Sequence, residues 1–209
     1  MAFDWLINAF ATLFVIIDPL GLAPIFLVVT AGMSAGERAN VALRASLTAF
    51  GILVFFAIFG AGLLNALGIT LPAFRIAGGL LLFYTAAEMI FEKRQVRKRE
   101  TAQKSITVED LKNISIYPLA IPLMAGPGAI SATVLLASER EGYAELGLLV
   151  GLIAGIVLTA YLVFRLAERF DRLLGDTGRA LLSRLLGVLL AALSVQFVVD
   201  GIRSLIAAS

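Results

Sequence analysis

The chain has 209 residues, of which 60% are hydrophobic and 15% charged, with a mean hydropathy of +0.96; a soluble domain is about half apolar and a quarter charged, so these figures exclude one. It has no Cys and no His, which excludes thiol redox chemistry, disulfides, cysteine metal sites and histidine general-base catalysis. The formal charge of +2 and pI of about 9.1 are no nucleic-acid signature, because the basic residues sort by side of a membrane.

The opening MAFDWLINAF has neither a positively charged leader nor a small-residue cleavage site. The first apolar run is therefore expected to stay in the mature protein as its own insertion signal. Crossing the hydrocarbon takes about 20 mostly apolar residues in a helix. Six stretches qualify, near 5–31, 43–65, 71–91, 114–138, 144–165 and 182–206, and predict an all-α, six-span membrane fold. Trp5, Tyr117 and Tyr143 fall near span ends, where amphipathic rings prefer the interface.

Span one is interrupted by IDPLGLAPIF, which puts Asp18 near its middle. An ionisable group at that depth is costly and marks a candidate site. Asp before Pro is also a good helix cap, so capping alone and capping combined with substrate or ion binding are both open. Span three carries RIAGGLLL, with Arg75, Gly78 and Gly79, and Glu88 toward its end. The 92–112 connection contains EKRQVRKRE, too charged for any core, and reads as an aqueous loop of flexible or helical character. Span four is broken by YPLAIPLMAGPGAIS. Gly147, Gly151 and Gly155 give span five a smooth face, for which internal packing is favoured over dimerisation. Span six carries Arg184, Gly187 and, near its end, Asp200. Glu88 and Asp200 are expected to reach interfacial water, and Arg75 and Arg184 to anchor at interfaces or close a gate against a carboxylate.

Arg38 and Arg44, seven Lys and Arg between Lys93 and Lys112, and five between Arg165 and Arg184 fall on one side, 14 in all; Arg75, Arg140 and Arg203 fall on the other. The positive-inside rule then places both termini, and the loops near Leu67 and Glu141, outside the cytoplasm. Asp18-Pro19 matches Gly126-Pro127 at an offset of 108, and Arg75 and Gly78 match Arg184 and Gly187 at 109. These offsets suggest two three-span repeats, 1–91 and 113–209, joined by the basic 92–112 loop. Three spans is an odd number, so the second copy is inverted, a pattern of secondary transporters whose broken helices meet near the midplane.

At IDPLGLAPIF, FRIAGGLLLF and PLAIPLMAGPGAIS the sequence resembles the MarC family of bacterial and archaeal inner-membrane proteins, grouped with the LysE-type exporters. The resemblance covers essentially the whole chain, with the motifs in the family's order and spacing. It implies transport, in SnatA-like members of small neutral amino acids such as glycine and alanine. Carried over by motif, it marks Asp18, Pro19, Gly21 and Pro24, then Arg75, Gly78 and Gly79, then Pro122, Gly126, Pro127, Gly128 and Ser131.

The leading expectation is thus alternating access at a central site between spans one and four, with Asp18, Arg75, Glu88, Arg184 and Asp200 as gating or coupling candidates. No P-loop is present, so coupling falls to protons, through a carboxylate such as Asp18, or to sodium, through unwound carbonyls. No other cofactor and no metal site is expected. An enzyme is not expected either, since an Asp18–Asp200 dyad would have to span very different depths. A channel, an exporter of other small metabolites or drugs, and a structural subunit are the alternatives.

Overall fold

A computed structural model describes residues 2–106, 114–138 and 142–208; the predicted external loop at Glu141 and the end of the basic connection lie outside the described residues. Among the described residues every regular element is helical. Helix α1 (Ala2–Ile17) ends at Asp18, a short tight turn covers Leu20–Leu22, and α2 (Ala23–Val29) completes the first span. Then follow α3 (Ala35–Ala66), α4 (Leu71–Ile90) and α5 (Lys93–Ile106). The segment Ser115–Met124 has extended backbone at Tyr117 and Ile121 and cis peptide bonds before Pro118 and Pro122. It meets α6 (Pro127–Ser138) at a bend of 57°. Helices α7 (Tyr143–Arg165) and α8 (Ala167–Ala208) close the chain, with α8 broken at Gly175, where φ is +57°.

Trp5–Val29, α3, α4, α7 and Thr177–Ala207 of α8 are long and apolar enough to cross a membrane, and the bent pair makes a sixth candidate. The spans read from apolar run length therefore recur with shifted ends. Helix α3 starts at Ala35 rather than near 43 because Ser34 and Glu37 form a reciprocal capping box. Its 32 residues extend about 48 Å at 1.5 Å each, more than a bilayer core.

On α3 mostly small side chains face inward and bulky ones outward. The buried face is Ala42, Ala45, Ser46, Ala49, Leu53, Ala57, Gly60 and Leu64, while Phe55, Ile58, Phe59 and Leu63 are exposed. In lipid there is no hydrophobic drive between helices, so close backbone approach through small residues does the packing and bulky apolar groups face the acyl chains.

The most extensive helix contact is between α4 and α8, followed by α3 with α7. Its closest approaches are made by glycines: a Cβ on Gly79 would stand 2.8 Å from the Ser194 carbonyl oxygen, and one on Gly187 would stand 3.1 Å from that of Ala86. Gly78, one residue away, meets the flexible end of Leu135 at 3.1 Å and Ser131 Cβ at an ordinary 3.5 Å, and no backbone. Gly79→Ala is therefore expected to destabilise by about 1–3 kcal/mol through overpacking. Gly78→Ala should be near neutral, since helix propensity gains up to about 1 kcal/mol. Melting of the two purified variants side by side checks this ordering, and equal melting temperatures would contradict it.

Two expectations are corrected. Gly147, Gly151 and Gly155 are exposed, with nothing within 4 Å of a Cβ on any of them, so among the described residues this face does not pack internally. The basic connection is also not wholly aqueous. Helix α5 lies against α2, α4 and the Ser115–Met124 segment, and its Arg94 and Lys98 are each only 5% exposed. Charge alone does not keep a side chain in water when a buried carboxylate and free carbonyls are there to receive it.

Candidate functional site

The first break is built around Asp18. Its backbone is left-handed (φ +54°), a conformation that Asp and Asn tolerate better than other side chains. Its carboxylate turns back to accept the Gly21 N–H at 3.1 Å, satisfying a donor that the interrupted helix leaves open. Gly21 is required by space: a Cβ there would stand 2.6 Å from the Asp18 carboxyl carbon and 2.6 Å from Gln95 Nε2. Pro24 then sits in the first turn of α2, where the missing N–H costs nothing.

Helix α5 completes that site from 80 residues away. Lys98 Nζ lies 3.2 Å from Asp18 Oδ2, both side chains being buried, and Gln95 Nε2 donates to the same oxygen at 3.5 Å. Arg94 donates to the Ile16 carbonyl, left open where α1 ends, and approaches Met89 Sδ at 2.8 Å. Arg97 pairs with Glu88 at 2.8 Å. Glu88 is 6% exposed, which corrects its expected place in interfacial water. Burial pushes the Lys98 ammonium down to about 8, against the opposing pull of Asp18, and burial likewise lowers Arg94.

The second break opens beside this cluster. Pro122, Leu123, Met124, Gly126, Pro127, Gly128 and Ala129 line a cavity of about 340 Å³ together with Ile16 of α1 and Leu81, Tyr84 and Thr85 of α4. Its remaining wall is Arg94, Arg97, Lys98 and Thr101, at i, i+3, i+4 and i+7 on one face of α5. The volume is at the lower end of small-molecule sites. Ile130 N–H bonds the Gly126 carbonyl, so Gly126 begins α6, and the Gly128 and Ala129 amides precede any intrahelical acceptor. Three cations (Arg94, Arg97, Lys98) face two carboxylates (Asp18, Glu88), so the cluster carries one positive charge in excess. A helix N-terminus and buried cations together suit an anionic group, while Asp18 lies directly behind Lys98 for a cationic one.

Of the residues marked out from sequence, Pro122, Gly126, Pro127 and Gly128 line the cavity. Asp18, Pro19, Gly21 and Pro24 form the first break behind it. Gly78 and Ser131 face each other where α4 meets α6, and Gly79 packs on α8. Arg75 opens the second turn of α4, six residues before the cavity wall begins at Leu81. Arg184 makes a half-exposed pair with Glu92 at 2.6 Å, and Asp200 accepts from Gln196 Nε2 one turn earlier at 2.9 Å; neither lines the cavity. Sequence reading missed Arg94, Gln95, Arg97 and Lys98. Their helical spacing was the available signal.

Comparison with known proteins places this geometry in a family. A UPF0056 membrane protein of Aquifex aeolicus is 39% identical over 204 residues, covering 96% of this chain and 93% of the relative. One from Archaeoglobus fulgidus is 38% identical over 200 residues (93% and 90%), and YhcE of Escherichia coli is 36% identical over 199 (94% and 91%). No solved structure matches the chain. Residues 3–206 match the MarC family of integral membrane proteins, and with relatives this similar along nearly their whole length, the chain belongs to the MarC (UPF0056) family.

Proposed function

We propose that this protein is a secondary transporter of small neutral amino acids of the glycine and alanine class, working by alternating access around the cavity between its two broken spans. The observation that carries the reading is the small cavity walled by the α5 face, with Arg94 and Lys98 buried, α6 amides on one side and a carboxylate behind. A zwitterion needs both kinds of partner within a few ångströms, and a small one fits this volume.

The 3+3 inverted repeat belongs to the same proposal. Its support is that counterparts pack on one another, α1 with α6, α3 with α7 and α4 with α8, as elements beside a two-fold axis do. The α4–α8 pair runs antiparallel, Gly201 lying by Pro72 and Gly187 by Met89. The charge bias supports an inner-membrane orientation with both termini outside the cytoplasm and α5 on the cytoplasmic side. Protons or sodium supply the coupling, with no enzymatic step.

Purified protein in liposomes loaded with unlabelled amino acids is expected to exchange labelled glycine and alanine saturably, faster under one of an imposed proton or sodium gradient. Single cysteines at Leu67 and Glu100, labelled by an impermeant thiol reagent in cells, should report opposite faces. No exchange with any amino acid, or an ion current that does not saturate, would overturn the transporter reading; labelling of both cysteines from one face would overturn the orientation.

A further inference from the structure

Asp18 is the deepest carboxylate of the first break, yet it is not in the wall of the cavity; Lys98 is. A zwitterion in the cavity therefore meets the Lys98 ammonium before it meets Asp18. Beside this pair, Gln95 donates its amide nitrogen to Asp18 and leaves its Oε1 buried with no hydrogen-bond partner among the described residues. An orphaned acceptor next to a carboxylate is a half-built receptor for a second N–H donor. Arg94 is held on the Ile16 carbonyl and Arg97, its side chain 53% exposed, pairs with Glu88, so Lys98, on a flexible four-carbon stem, is the buried cation placed to exchange Asp18 for another partner.

We propose that Lys98 is the specificity-determining residue of the site: it turns from Asp18 to the carboxylate of an incoming amino acid, beside the Gly128 and Ala129 amides, and so uncovers Asp18 and Gln95 Oε1 for the substrate's ammonium. This deepens the transporter reading and rests on it. One internal ion pair is exchanged for two with the substrate, so no charge is left unpaired in the closed site. A molecule with one charge cannot complete the exchange. A lone carboxylate takes Lys98 and leaves Asp18 bare, while a lone ammonium cannot dislodge Lys98 from it. The same exchange releases the contact by which α5 is tied to the first break, giving the substrate itself control over that tie.

Competition against labelled alanine on the purified wild type tests the charge requirement. Alanine and glycine are expected to compete, and propionate and alaninamide to be weaker by about tenfold or more, the worth of one charged hydrogen bond. The paired variant Asp18→Asn/Lys98→Met removes both charges together, so neither is left buried alone, and it should melt near the wild type. It is expected to lose the preference for alanine over alaninamide. If the wild type binds alanine and the paired variant keeps that preference, Lys98 does not read the carboxylate, and the transporter reading stands without it. If the wild type binds none of the amino acids, both fall.

Discussion

Replacing Asp18 by alanine is expected to lower the melting temperature of the purified protein by roughly 10–30 °C, on the scaling of a chain this size. Three effects add. The Gly21 N–H loses its acceptor, worth about 1 kcal/mol for a helix cap. An alanine must hold the left-handed backbone at φ +54°, at about 1–2 kcal/mol. Lys98, 5% exposed, is left as a buried cation without its counterion, and breaking a buried pair from one side costs about 3–5 kcal/mol. The components can be separated. Asp18→Asn keeps an acceptor for Gly21 and tolerates the left-handed backbone but loses the charge, so it should fall between Asp18→Ala and the wild type. Adding Lys98→Met to Asp18→Ala should recover much of the loss by removing the stranded cation, a coupling that a double-mutant cycle measures. Additive losses from the two single substitutions would show that the pair contributes nothing.

What the sequence made legible was what local chemistry decides. Apolar runs of about 20 residues mark the spans, because only helices can satisfy their own backbone in lipid. Pro19 and Pro127, beside Asp18 and Gly126, mark the breaks because they interrupt that satisfaction locally. The fate of EKRQVRKRE was not legible, since nothing within nine residues says that an aspartate 80 positions earlier awaits Lys98. A helix with basic residues on one face normally turns them to water. Here the face turns inward because the Ile16 carbonyl and the Asp18 carboxylate at the broken span need donors. Glu88 was misplaced for the same reason: its depth depends on Arg97 reaching it. The glycines of α7 show a complementary limit. Their four-residue spacing states that something can approach closely, but not whether it belongs to the same chain, and among the described residues nothing does.

On the proposed function substrate sits in the cavity between the two breaks, and Gly128 is the position that isolates that cavity from the rest of the fold. A Cβ there would meet Leu82 at 3.5 Å, Ile16 at 3.6 Å and Thr85 at 3.8 Å, which is ordinary contact, so one added carbon is accommodated. The two further methyls of a valine have only the cavity to enter. They would occupy the space in front of the Gly128 and Ala129 amides without disturbing the Asp18–Lys98 pair or the α4–α8 packing. In the first turn of α6 replacing glycine by valine costs no helix propensity, glycine being the poorer helix former. Fold and function should therefore part company at this residue. The measurement is alanine counterflow by wild type and Gly128→Val in liposomes carrying matched amounts of protein, with melting temperatures recorded on the same preparations. Exchange is expected in the wild type and none in the variant, with melting within a few degrees of each other; a variant that exchanges alanine at the wild-type rate would contradict this placement of the substrate.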